Sequence, residues 1–174
     1  MRLGRDIVAT LLILGALTIA VAFVNDRNEL AGLAKVVDGD TILLGNARIR
    51  LEGIDAFELS QTCGSYPCGR LARQVLRDLV RGKSVRCDVE GTDRYGRGLG
   101  RCYVDDTDVG AEMVGSGLAL SRSYSYDDLE DSARATKKGA WAHAVQDPRE
   151  FRRDAGSGTS LVTEAVRWLR ELIR

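Results

Sequence analysis

The segment from Ser84 to Val104 limits the possible folds more than any other. Two stretches, SVRCDVE and GLGRCYV, read as strands, and between them TDRYGRG carries the Asp and Gly of a tight turn. Cys87 stands six residues before Asp93, and Cys102 stands six residues after Gly96. With the turn at Asp93–Gly96, the two cysteines face each other across an antiparallel hairpin, at a Cα separation that a disulfide tolerates. Cys63 and Cys68 lie together in CGSYPC. Four thiolates around zinc are the competing arrangement. Its usual CxxC spacing is absent, so two disulfides in an oxidising compartment are expected instead.

The N-terminal residues point to the same compartment. Ile7–Val24 is an uncharged run of 18 residues following Arg2 and Arg5. At about 1.5 Å of rise per residue, a helix of that length nearly crosses a hydrocarbon layer of about 30 Å. Residues 1–24 are therefore read as a signal anchor, a single transmembrane helix. Its length favours this over a secretory signal peptide cut near Ala20-Val21-Ala22. Arg2 and Arg5 would stay on the cytoplasmic side, placing the rest of the chain outside. Residues 25–31 read as a polar linker, 32–154 as one globular domain, and 155–174 as a Gly/Ser spacer followed by an amphipathic helix, Leu161–Arg174. That last helix has Arg residues between its apolar positions and suits docking, a partner or a membrane surface equally.

Within the globular part, strand-like Gly32–Leu44 is broken at Asp38-Gly39-Asp40, and Gly45-Asn46 signals a turn into ARIRLEGI. Alternation there sends Ile49 and Leu51 to the core, and Arg48, Arg50 and Glu52 to the other face. Pro67–Arg81 is a helix with a Leu71, Val75, Leu76, Leu79, Val80 stripe, closed by Gly82. Val109–Ser116 and Asp127–Lys138 are further helices, with a short strand at Gly117–Leu120 between them. Strands in sequence with inserted helices make an α+β fold, for which a small barrel is the natural closure.

Charge and composition narrow the chemistry. Lys+Arg and Asp+Glu both total 25, which excludes DNA binding through a large basic surface. The single His143 excludes mechanisms built on several imidazoles, so acid–base and metal chemistry falls to carboxylates. Acidic and Arg residues concentrate in VVDGDT, RLEGIDAFE and DRYGR. Each alone reads as a turn or a solvated strand face. Together, Asp40 and Asp55 offer oxygen ligands to a hard divalent cation. Arg50 and Arg97 offer planar cations matched to a phosphodiester, and Glu58 is a carboxylate able to take a proton from water.

The ordered motifs VVDGDT, RLEGIDAFE, DRYGRGL, VGSGLA and KKGAW, spread over Ala34–Trp141, closely resemble the staphylococcal nuclease (thermonuclease) family. The resemblance implies a five-stranded OB-type barrel with about three packed helices. It implies Ca2+ held by Asp40, Asp55 and the carbonyl of Ala56, with Glu58 as general base. It further implies Arg50 and Arg97 on the phosphate, and Tyr95 beside the nucleotide. The reaction implied is attack of water on phosphorus in DNA or RNA, breaking the P–O5′ bond and leaving a 3′-phosphate end.

The chain departs from the family at several places. Phe57 stands where the family usually has Pro, an exchange expected to loosen the loop that aims Glu58. Ser123 and Ser125 align with the family's aromatic contacts, and Tyr124 and Tyr126 stand beside them. The Cys63–Cys68 pair fits an exported bacterial branch. A monomer is expected. The leading reading is a membrane-anchored Ca2+-dependent nuclease, with a secreted form as the alternative for its location. A non-catalytic OB-fold module binding nucleic acid or protein is the functional alternative, and an envelope interaction protein working through the C-terminal helix is a third.

Overall fold

The computed structural model describes residues 11–16 and 29–156. Within these, β1 (Glu29–Val36), β2 (Thr41–Leu44), β3 (Ala47–Leu51), β5 (Ser84–Thr92) and β6 (Gly98–Val104) form one sheet, to which β7 (Thr107–Asp108) adds an edge. The order is β3-β2-β1-β5-β6-β7, and β3 also pairs in parallel with β6, at Ile49↔Gly98 through Leu51↔Gly100. That extra ladder joins the two ends of the sheet, so the strands close as a five-stranded barrel. A separate two-stranded ladder joins β4 (Ile54–Ala56) to β8 (Ala119–Ser121).

Three α-helices, α1 (Cys68–Val80), α2 (Val109–Gly115) and α3 (Asp127–Ala135), cover the barrel, followed by a 3-10 turn at Gly139–Ala142. Ile42, Ile49, Leu51, Val85 and Val104 fill the interior, against Ala72, Leu76 and Val80 of α1 and Met113 and Val114 of α2. As the alternation in ARIRL requires, Ile49 and Leu51 are buried while Arg48 and Arg50 face outward.

The hairpin holds the cysteine register by a route other than the expected one. Its loop is closed by Asp93 N donating to Arg97 O at 2.8 Å, so the turn is one residue longer than Asp93–Gly96. A bulge between Val89 and Thr92 then places one extra residue on β5. The two irregularities cancel, and Cys87 meets Cys102 with Cα atoms 4.1 Å apart, both buried inside the barrel. Replacing both by Ala should lower the free energy of unfolding by about 3 kcal/mol, the entropy of reopening a loop of this size. Guanidinium denaturation against the wild type measures it. A loss near zero would mean that the sheet alone sets the register.

Three expectations need correction. Residues 29–31 of the expected linker are barrel strand, since Glu29 pairs with Asp88 and Ala31 with Arg86. The strand expected at Gly117–Leu120 starts at Ala119, because Gly117 takes a φ of +71° in the turn after α2. A fourth helix, 148–156, here called α4, was not expected. Among the described residues no helix is long and apolar enough to cross a membrane. The run Ile7–Val24 lies outside the described residues except for 11–16, which are helical, and so does Leu161–Arg174.

Candidate active site

The turn between β1 and β2, the end of β3, the segment after β4 and the β5–β6 loop meet at one mouth of the barrel. They enclose a hollow of about 560 Å³. Asp40, Arg50, Ala56, Glu58, Tyr95 and Arg97 all line it. Asp55 lies just beneath, 1% exposed, on the floor of the same site. Segments far apart in sequence therefore converge as required.

Arg50 ties the two aspartates together. Its Nη1 is 2.5 Å from Asp40 Oδ2 and its Nη2 is 2.8 Å from Asp55 Oδ1. The two carboxyls respond in opposite ways. Burial pushes Asp40 up to about 6, against the pull of Arg50 and with Asp38 adding to the rise. Burial pushes Asp55 up as well, but Arg152, Arg50 and Arg122 together outweigh it and hold that carboxyl below the usual range. One guanidinium does not compensate the buried Asp40, whereas four, those of Arg50, Arg122, Arg149 and Arg152, lie within ion-pair distance of Asp55.

Arg97 is held by the hairpin turn. Asp93 accepts from Arg97 Nε at 2.7 Å and from the backbone N–H groups of Tyr95 and Arg97 at 2.8 and 3.0 Å. Arg97 Nη1 donates to Thr41 Oγ1 at 3.3 Å, and that hydroxyl donates to Asp40 Oδ1 at 2.9 Å. The half-free guanidinium thus projects over the hollow beside the carboxylates. Tyr95 is 69% exposed, with Arg94 and Arg97 against its ring. Of the two tyrosines near the aligned serines, Tyr126 is buried and donates to Asp108, while Tyr124 stands in solvent beside a second hollow with Ser123.

Phe57 does not loosen the Glu58 loop. It is buried against Cys63, Cys68, Leu120 and Ala140, so the ring pins the loop by packing where a proline would stiffen the backbone. The Cys63–Cys68 disulfide closes that small core. Gly69, in the first turn of α1, completes the fit: a Cβ there would lie 1.7 Å from the Glu58 carbonyl oxygen, so only glycine allows the contact.

Three residues of the site were not foreseen. Gln61, 1% exposed, accepts from the Glu58 N–H at 3.1 Å. Arg122 bonds Asp147 through both carboxylate oxygens and reaches Asp55 at 3.3 Å. Arg152 of α4 reaches both Asp55 and Glu58. One cue to α4 is present in the sequence: Asp147 precedes Pro148, and its side chain caps the Arg149 N–H at 2.8 Å. Nothing in the sequence pattern ties Arg122 or Arg152 to Asp55.

The donor set suits a hard cation. Asp40 and Asp55 present oxygens to one shared guanidinium, Asp40 lacks enough positive charge, and the Ala56 backbone lines the same wall. Among the described residues no three acidic, His or Cys side chains cluster closely enough to hold an ion on their own. Backbone carbonyl and water would have to complete the shell.

Known proteins resemble this chain in sequence. A family model described as staphylococcal nuclease homologue matches residues 48–143, more than half of the chain. The succinoglycan biosynthesis protein ExoI of Rhizobium meliloti (strain 1021) is 34% identical over 154 residues, which cover 80% of this chain and 79% of that protein. The probable staphylococcal-like nuclease CAN1 of Oryza sativa subsp. japonica is 37% identical over 129 residues, 70% of this chain and 37% of that longer protein. An uncharacterized endonuclease of Escherichia coli O157:H7 is 37% identical over 122 residues, 64% of this chain and 76% of its own length. By barrel topology, motif order and sequence identity, the chain belongs to the staphylococcal nuclease family.

Proposed function

We propose that this protein is a Ca2+-dependent nuclease that hydrolyses phosphodiester bonds of DNA or RNA outside the cytoplasm. One observation carries the reading: Glu58, Arg50 and Arg97 face one hollow, with Asp40 in its wall and Asp55 beneath. Arg50 and Arg97 bind the non-bridging oxygens of the scissile phosphate from two sides, and their planar forks suit the charge that builds there. Glu58 orients a water and takes its proton as the oxygen bonds to phosphorus. The P–O5′ bond breaks, and the departing 5′-oxygen is protonated by solvent. Asp40, Asp55 and the Ala56 carbonyl would hold Ca2+, which supplies Lewis-acid stabilisation of the transition-state charge.

Support for the location comes from the two disulfides, which persist in oxidising compartments, and from the uncharged Ile7–Val24 run, which suits an anchor in the membrane. The purified full chain should cut DNA or RNA in Ca2+ and stop when EGTA is added. Ca2+ at about 100 times its dissociation constant should raise stability by about 2.7 kcal/mol, read as a higher melting temperature. Binding of nucleic acid without cleavage, with no response to Ca2+, would favour a retired binding module instead.

A further inference from the structure

The family match ends at residue 143, yet the site does not. The chain after the 3-10 turn returns to the hollow and touches it at three levels. Gln61 accepts from the Glu58 backbone N–H and donates through Nε2 to the Gln146 carbonyl at 2.8 Å, linking the Glu58 loop to this returning segment. Asp147 is clamped by Arg122 at 2.7 and 2.9 Å. One turn into α4, Arg152 places Nη1 2.6 Å from Glu58 Oε1 and Nη2 2.9 Å from Asp55 Oδ2, and it lines the hollow itself. Glu58 is therefore gripped twice from the same segment, at its backbone through Gln61 and at its carboxylate through Arg152.

We propose that residues 146–152 are a working part of the active site, with Arg152 as a positioning residue that holds the Glu58 carboxylate for its water and, by its own charge on Asp55, opposes a further cation there. This rests on the nuclease reading above. The physical case is that Glu58 is a half-exposed side chain on a loop, with several rotamers open to it. A bidentate cation anchored on a capped helix removes that freedom before substrate arrives. The same guanidinium sits against Asp55, so it also opposes a second positive charge at that carboxylate.

The two effects have opposite signs, which separates positioning from mere structural support. In the full chain, Arg152→Ala should lower kcat on a single-stranded DNA oligonucleotide about tenfold or more while KM stays nearly constant. Ca2+ binding, titrated calorimetrically without nucleic acid, should tighten about threefold or more in the same variant. Arg152→Lys keeps the charge but cannot span both carboxylates, so it should restore wild-type Ca2+ affinity and only part of kcat. Arg152 is partly exposed, so its replacement leaves the core intact. An Arg152→Ala variant that turns over within twofold of wild type overturns the proposal. So does weaker Ca2+ binding that tracks a lowered melting temperature. A wild-type chain that leaves DNA and RNA intact sinks the nuclease reading, whereas a cutting wild type with an unaffected variant sinks this inference alone.

Discussion

Glu58→Gln is expected to reduce kcat by at least a hundredfold, with little change in stability or in nucleic-acid affinity. The substitution preserves shape and the loop that carries it, since Phe57 packing, the Gly69 contact and the Gln61 bond to the Glu58 N–H all involve other groups. It removes the carboxylate charge that, on the proposed reading, takes a proton from water. General-base catalysis commonly contributes about 10²–10⁴-fold, which sets the size of the loss. The side chain is half exposed, so no buried partner is stranded apart from the Arg152 bond. Single-turnover cleavage with saturating enzyme isolates the chemical step. A variant cutting within about tenfold of wild type would mean that some other group activates the water.

Arg50→Lys should be more damaging still to turnover, because on the proposed reading Arg50 serves chemistry as well as bridging Asp40 and Asp55. Its two terminal nitrogens reach Asp40 and Asp55 separately, and a lysine ammonium, being a point charge, cannot sit on both. Turnover should fall about a thousandfold, because the guanidinium that aligns Asp40 and Asp55, and that would meet the phosphate oxygens in the proposed reaction, is lost. Asp55 keeps Arg122 and Arg152, but Asp40 has no other cation among its described contacts. Removing one partner of a buried pair typically costs about 3–5 kcal/mol. Here Asp40 is already displaced upward to about 6 by burial and can relieve part of that cost by taking a proton. Arg50→Ala should therefore unfold at visibly lower temperature, whereas Arg50→Lys should retain most of the stability and little of the activity. Equal damage from the two, in both readouts, would make Arg50 a structural residue only.

Much of the architecture was readable along the chain because it rests on local periodicity. Alternation in ARIRL sorted Ile49 and Leu51 from Arg48 and Arg50, and the apolar stripe of Pro67–Arg81 became α1 to within a residue at each end. The Cys87–Cys102 pairing was correct although its turn was misplaced by a residue, since a bulge restores what the longer loop shifts. The strand of Glu29–Ala31 was missed: flanking polar residues resemble a linker, and its partner β5 lies more than fifty residues away.

The seven residues nominated for chemistry share one hollow and its floor; residue types made five of them visible, and the family resemblance supplied Ala56 and Tyr95. What the polypeptide code could not convey was which charges neutralise which. Arg122 and Arg152 look like any solvated arginines along the chain; the β4–β8 ladder brings Arg122 to Asp55, and the return of 146–152 across the barrel mouth brings Arg152. Local patterns are set by backbone geometry over a few residues, so they can be read directly. Electrostatic partnership depends on distances between remote segments, and those exist only once the barrel has closed.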